Sequence, residues 1–317
     1  MNVITLGVHV LDVLLRPVDA IPEGQGAALV DDIRITAAGT AGGTALTLAK
    51  LGASVRSAGA IGADATGDLL VRLLRRAGVD TELLVRRADT PTSASVLPIR
   101  PSGERPSLHL LGANITYGPE DVPWSAIERA THLHLGGPEL IGAETAARIL
   151  SFARGHGVVT SVDLLAPGAM GSLDLIAAAL PYTDYILPND DQALGFTGAD
   201  DVLDGAHTLL DAGAGTVAVT CGADGALIVS GDRADRVPAF AVDVVDTTGC
   251  GDAFSAGFLR GVALGRSPVD AAVLGAAAAA LVAQGLGSDH GDFDLAAADA
   301  FAASTRPRSA DAAGDPR

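Results

Sequence analysis

Aromatic residues make up only 3% of the 317-residue chain, so platforms that stack flat rings are few. Lysine is scarcer: Lys50 is the only one, and the other basic side chains are arginines. Against 21 basic residues stand 38 acidic ones, a formal net charge of −17. The isoelectric point near 4.6 argues against nucleic acid and anionic membrane surfaces as partners. The two cysteines, Cys221 and Cys250, fit neither a disulfide framework nor a zinc-ligand spacing, which points to a reducing, cytoplasmic setting. No apolar run reaches membrane-spanning length; the longest, around Ala271 to Ala283, is Ala-rich and reads as a buried helix. No signal peptide opens the chain, since Met1 to Gly7 reads as a strand. Catalytic signatures are missing too. Lys50 follows Ala49 without a glycine loop, so there is no Walker A motif. Neither Gly-x-Ser-x-Gly nor His-Glu-x-x-His occurs, and no Gly-x-Gly-x-x-Gly follows the first strand, which disfavours esterase, zinc-protease and dinucleotide-dehydrogenase readings.

What remains is 48% hydrophobic, enough for one large α/β domain with an appendage. Its organising stretch is Asp246-Thr247-Thr248-Gly249-Cys250-Gly251-Asp252. The run Ala241 to Val245 before it has strand character, and Phe254, Phe258 and Val262 after it recur on one helical face. The expected element is a strand, a glycine-bearing turn and a helix starting at or near Asp252. Small residues at 249–251 admit a ligand to the backbone, and free N–H groups with the positive end of the helix dipole make an anion site. A carboxylate at that mouth suits taking a proton from a hydroxyl that attacks a phosphoryl group. It also suits a plain helix-terminal carboxylate. A cysteine in this turn either has a lowered thiol pKa and raised reactivity or is a small buried filler.

The stretch resembles the C-terminal signature of the ribokinase-like (PfkB) carbohydrate kinases, Asp-Thr-x-Gly-Ala-Gly-Asp, with Cys250 where Ala, Ser or Gly is usual. The resemblance runs over roughly residues 2 to 304. It implies a doubly wound three-layer α/β/α sandwich with a small β-sheet lid, formed by segments at about 12–36 and 92–112 of a kinase domain spanning 1–304. The tail 305–317, rich in Ser, Arg, Asp, Pro and Gly, reads as disordered. The implied reaction is ATP- and magnesium-dependent transfer of the γ-phosphoryl group to a hydroxyl of a small sugar or nucleoside. Asp252 would be the base and Gly249, Cys250 and Gly251 the anion hole.

Further expectations follow along the chain. Asp12, in Gly7-x-x-x-x-Asp12, is implied to bind sugar hydroxyls. Gly39, Thr40 and Gly43 sit where a helix opens and resemble the N-terminal signature, with Gly43 in place of a substrate-binding Asn. Two β-like runs, 93–100 and 107–111, are joined by a turn at Pro101-Ser102-Gly103-Glu104. His132 and His134 alternate on a strand without a third ligand, so both read as structural. A single helix is expected over Glu139 to Arg154. Asn189 and Gln192 stand in the Asn-x-x-Glu motif whose acid orients magnesium-bound water; Gln192 lacks the charge, which Asp190 or Asp191 would then supply. Thr220, Gly222 and Gly225 lie in a turn implied to line the ATP pocket, with Asn189 and Gly251. Asp246, the Thr248 carbonyl and loop 284–288 are implied to hold potassium. Pairing of two copies through the lid is a further implication. Scarce aromatics tilt the acceptor toward sugars, and Arg34, Arg100 and Arg105 in the lid segments keep a phosphorylated sugar open. Gly43 and Gln192 also admit a rival, a catalytically weak homologue that binds a sugar or nucleotide; the intact Asp252 turn opposes it.

Overall fold

Short β-branched runs that feed glycine-bearing turns and return through helices build a sheet buried on both faces. The computed structural model describes residues 1–101 and 105–308. Its strands in chain order are β1 (Asn2–Gly7), β2 (Val10–Arg16), β3 (Asp32–Ala38), β4 (Ser54–Gly62), β5 (Asp80–Arg87), β6 (Ala94–Pro98) and β7 (Leu108–Leu110), then β8 (His132–Gly136), β9 (Val159–Asp163), β10 (Tyr185–Ile186), β11 (Thr216–Thr220), β12 (Ala226–Ser230) and β13 (Arg233–Val237). The helices are α1 (Gly42–Lys50), α2 (Ala65–Arg76), α3 (Trp124–Ile127), α4 (Pro138–Ile141), α5 (Ala143–Gly155), α6 (Asp190–Thr197), α7 (Val202–Asp211), α8 (Cys250–Ala263), α9 (Pro268–Ala283) and α10 (Leu295–Ser304). None is long and apolar enough to cross a membrane.

Nine strands pair in the order β13-β12-β11-β10-β9-β8-β1-β4-β5, parallel except where β12 meets β11 and β13. The chain starts in the middle at β1, winds out through β4 and β5, then crosses back to β8 and winds the other way. Order therefore reverses between β1 and β8, and ligands bind at the carboxyl ends beside such a switch point. Alternation along β1 sends Ile4 and Leu6 to one face, against Ile149 and Leu150 of α5. Val3 faces the other layer, with Leu46, Leu70, Phe254 and Phe258 from α1, α2 and α8. Each fully buried Leu or Phe contributes roughly 1.5–3 kcal/mol relative to exposure. The expected α/β/α sandwich is thus the fold.

The second sheet, β3-β2-β6-β7, is the lid. Asp64 ties its root to the sandwich: the carboxylate accepts the Gly67 amide to cap α2 and the Thr92 amide at 2.8 Å. The turn residues Ser102 to Glu104 lie outside the described residues.

Three expectations change. Residues 241–245 form no strand, although Val242, Val244 and Val245 suggested one; the Ala241 amide bonds to the Arg306 carbonyl and the Val245 amide to the Ala283 carbonyl. That pairing orders residues 305–308, the described part of the tail expected to be disordered: Pro307 bridges Phe240, and the Arg308 amide donates to Ala239. The remaining tail, 309–317, lies outside the described residues. Gly142, at φ 86°, splits the expected 139–154 helix into α4 and α5. Helix α8 begins at Cys250, near Asp252 as expected.

Candidate active site

Asp246 folds the central turn. Its Oδ1 accepts the Thr248 amide at 3.0 Å and the Thr248 hydroxyl at 2.8 Å, while Oδ2 accepts the Gly287 amide at 3.0 Å. The chain then passes Gly249 at φ 77°, where a Cβ would lie 2.6 Å from Ser288 Cα. Only glycine combines that left-handed backbone with that contact. The Cys250 amide already donates to the Thr247 carbonyl at 3.2 Å. Among the described residues the amides of Gly249, Gly251 and Asp252 have no protein acceptor. A Cβ built on Gly251 would meet nothing within 4 Å, so this helix start faces open space and suits an anion.

Asp252 stands in the first turn of α8. Its residue keeps some solvent contact, yet the carboxyl group lies deep enough for burial to raise its pKa well above the usual carboxylate value. Repulsion from Asp163 and Asp12 adds to that rise, and Arg105 opposes it. Asp163 ends β9 and accepts the Ser255 hydroxyl at 2.9 Å, one helical turn from Asp252; burial pushes it up to about 7. Asp12 is likewise raised by burial, to about 6. Three carboxyl groups from β2, β9 and α8 therefore share one desolvated region, the arrangement that holds a base near neutrality. Gly43 backs it: a Cβ there would lie 2.7 Å from Asp252 Cγ. The Asp252 carboxyl group thus occupies the space that a side chain at 43 would take.

Lid register sets what faces the acids. Asp12 pairs with Thr36 and Ser95, and Ser95 with His109. This polar row includes a 2.9 Å hydrogen bond between Ser95 Oγ and His109 Nδ1. Val13, Ile35, Val96 and Leu108, one position along, form an apolar row on the other face, with Leu108 64% exposed. Arg105 reaches from the lid to the turn, its Nε donating to Thr247 Oγ1 at 2.9 Å. Thr40 sits at the α1 approach with its buried hydroxyl unpartnered among the described residues. His134 fixes that approach through the Thr40 carbonyl at 3.2 Å. Burial lowers the pKa of both His132 and His134 to about 4, and neither joins a metal-binding group among the described residues. Gly39 serves the same segment, its carbonyl accepting the Gly43 amide.

On the other side of the turn lies a cleft of about 280 Å³. Thr220, Gly222 and Gly225 form one wall, Phe240 and Val244 another, and α8 and α9 a third, with Gly251 among the lining residues. The structure thus brings the expected cofactor residues together. Asn189 joins from the rim through a bridge to Thr220.

One expected role is corrected, and of the two readings of Cys250 the buried one is favoured. Gln192 does not face a metal: Oε1 accepts the Asn189 amide at 3.0 Å, and Nε2 donates to the Leu164 and Ala166 carbonyls at 3.0 and 3.3 Å. With Asn189 Oδ1 accepting the Gln192 amide, the pair is a reciprocal helix cap. Cys250 is not an activated thiol. It packs inward, Sγ 3.6 Å from the Ala279 carbonyl, and burial, with repulsion from Asp246, pushes it up to about 12.

Of the implied potassium site, Asp246 accepts protein donors on both oxygens, and just past loop 284–288 the Lys50 ammonium takes the carbonyls of Asp289, His290 and Gly291 at 2.9, 2.7 and 2.7 Å. Asp163 belongs to no motif; a carboxylate at the carboxyl end of a parallel strand is the one signal the sequence offers for it. Lys50 gave no local signal, because its partners lie some 240 residues away.

Residues 6–292 match the family described as pfkB family carbohydrate kinase. The chain is 34% identical over 249 residues to the ATP-dependent ribose-1-phosphate kinase of Halopiger xanaduensis, covering 78% of this chain and 80% of the relative. The crystal structure of a Thermotoga maritima ribokinase superposes with a TM-score of 0.80 at 25% identity, covering 95% of this chain and 98% of that one. The adenosine kinase of Sinorhizobium meliloti gives 0.80 at 26%, covering 95% and 99%.

Proposed function

The chain belongs to the pfkB family of carbohydrate kinases, and from that premise we propose that it transfers the γ-phosphoryl group of ATP to a hydroxyl of a small pentose-bearing acceptor. The observation that carries this reading is the position of Asp252, at the open amides of its own turn beside the cleft and electrostatically coupled to Asp163 and to Asp12 of the lid. The triphosphate would lie along the Thr220–Gly225 wall with its terminal phosphate at the amides of Gly249, Gly251 and Asp252. Asp12 and the unpartnered Thr40 hydroxyl would hold acceptor hydroxyls from the lid side. As the acceptor oxygen bonds to phosphorus and the bridging P–O bond breaks, Asp252 takes the hydroxyl proton. The amides and the Arg105 guanidinium face the charge that moves onto the transferred group.

Magnesium would supply charge neutralisation on the phosphates. The described residues hold no group of three metal-binding side chains, which fits an ion carried chiefly by nucleotide and water. Asp191 accepts the Gly168 amide and Asp190 accepts the Asp191 amide through Oδ1, so Asp190, with Oδ2 remaining and next to Asn189, is the carboxylate candidate. No step is assigned to potassium. Arg105 makes no ion pair among the described residues, which extends the acceptor range to a sugar already carrying a phosphate, as the name of the Halopiger relative suggests. The outward apolar row of the lid fits pairing of two copies about a twofold axis, and the two free cysteines fit a cytoplasmic setting.

The test is ATP consumption against pentoses, pentose phosphates and nucleosides, with Asp252→Asn as control. One class should turn over, and Asp252→Asn should lower kcat by about 10²–10⁴-fold with binding retained. No turnover on any class, or more than half of wild-type turnover in the mutant, would remove the reading.

A further inference from the structure

The loop that backs the phosphate-facing turn is held by a fixed cation. Loop 284–291 meets the turn at two points: the Gly287 amide on Asp246 and Ser288 against Gly249. Its far end is gathered by a single side chain. Lys50, at the last turn of α1, donates to three successive carbonyls, Asp289, His290 and Gly291. Its ammonium also lies 4.8 Å from the centre of the Phe293 ring. Three carbonyl oxygens and a ring face around one positive charge form the kind of shell a monovalent cation takes. Burial, with Arg34, holds the Lys50 pKa below its usual value, and Asp289 and Asp292 oppose that fall. Arg34 of the lid closes the same loop from outside, 2.7 Å from Asp289. The loop is therefore bonded to the turn, to α1 and to the lid.

We propose that the Lys50 ammonium is a built-in replacement for a dissociable monovalent cation, a positioning group that orders loop 284–291 behind the 249–252 turn and makes turnover independent of potassium. It acts through Gly287 and Ser288, never touching the reacting atoms. The proposal rests on the kinase reading for its rate measurements but not for its structural ones.

Three measurements test it. Wild-type turnover should agree within about twofold between potassium and tetramethylammonium chloride at equal ionic strength; a stimulation of tenfold or more by potassium would overturn the proposal. Lys50→Met should lower kcat about 10- to 100-fold, as expected when a preorganised anion site loosens. The acceptor KM should change little, and added ammonium or potassium ions should recover part of the loss. An unchanged kcat, or a loss that neither ion recovers, would overturn it. Amide hydrogen exchange across 285–291 in the unliganded protein should speed up in Lys50→Met and slow again with added ammonium, whatever the acceptor proves to be. Unchanged exchange would sink the idea without touching the kinase assignment. Should the variant fail to fold, the potassium comparison and the response of wild-type melting to potassium still decide, with no potassium-specific shift expected.

Discussion

Replacing Gly43 by alanine should separate activity from stability. Its backbone carries no positive φ, so alanine is allowed there, and the added methyl meets the catalytic candidate itself. A Cβ would lie 2.7 Å from Asp252 Cγ and 3.0 Å from its Cβ, whereas ordinary contact starts at 3.4 Å. The nearest atom is the carboxylate oxygen Oδ2, closer to that Cβ than Cγ is, so the oxygen must move farther than the about 0.7 Å (3.4 − 2.7) by which Cγ must retreat. Asp252 is the movable partner, because its side chain can rotate while the two helices cannot part without opening the core they share. A misplacement near 1 Å at a reacting group costs on the order of 10²-fold, or roughly 2.7 kcal/mol of barrier. We expect Gly43→Ala to lower kcat about 10- to 100-fold with the ATP KM nearly unchanged. Alanine gains up to about 1 kcal/mol over glycine in a helix, less in a first turn, so the melting temperature should hold or rise. Steady-state kinetics and thermal unfolding on one preparation check both halves. Wild-type turnover would show that the carboxylate position described is not the productive one. A large drop in melting temperature would show that the backbone, not Asp252, yields.

Gln192→Glu puts a carboxylate against the Leu164 and Ala166 carbonyls in place of a donor; a loss of about 1–3 kcal/mol in urea unfolding is expected. Its magnesium requirement should not change, and a lowered one would restore the metal role rejected above. Asp163 keeps its proton to about pH 7 when folded against 3.8 unfolded. Between those values the unfolded chain holds fewer protons, so stability falls as pH rises. Asp163→Asn should flatten that fall in melting temperature between pH 4 and 7, while Asp252 preserves part of it; an unaltered slope refutes the assignment. Leu108→Arg places charge in the exposed lid row. Sedimentation should show wild-type pairs and mutant monomers, and identical profiles would remove pairing through the lid.

Much of the site was legible because its parts are local. The 246–252 heptad carries its own turn chemistry: Asp246 reaches two residues ahead, and Gly249 supplies the left-handed backbone. The sandwich itself was legible only through the resemblance that the heptad carries. Misreadings arose where distant partners decide. Residues 241–245 have strand-like composition, but Ala283 and Arg306 take the bonds a neighbouring strand would use. Cys250 sits at a helix start that favours thiolate, but α9 turns the sulfur inward, and desolvation outweighs the dipole. Gln192 resembles a metal-site position because the cap at Asn189 uses the same three-residue spacing as the motif. Strand β5 and helix α10 escaped notice, and α10 buries only Ala298 fully, too narrow a stripe to announce a helix.

The alternation of the lid has an evolutionary consequence. The polar row of Asp12, Ser95 and His109, proposed to face the acceptor, is interleaved one for one with outward residues such as Val13, Val96 and Leu108. Because neighbouring positions on a strand point to opposite faces, a lineage can change the inner row without altering the outer one. Acceptor preference can therefore drift by single substitutions while the surface shown to other molecules is inherited intact. An insertion of one residue in β6 does the reverse, exchanging the two faces at once. Diversification through this lid should consequently proceed by substitution and avoid single-residue insertions and deletions within its strands.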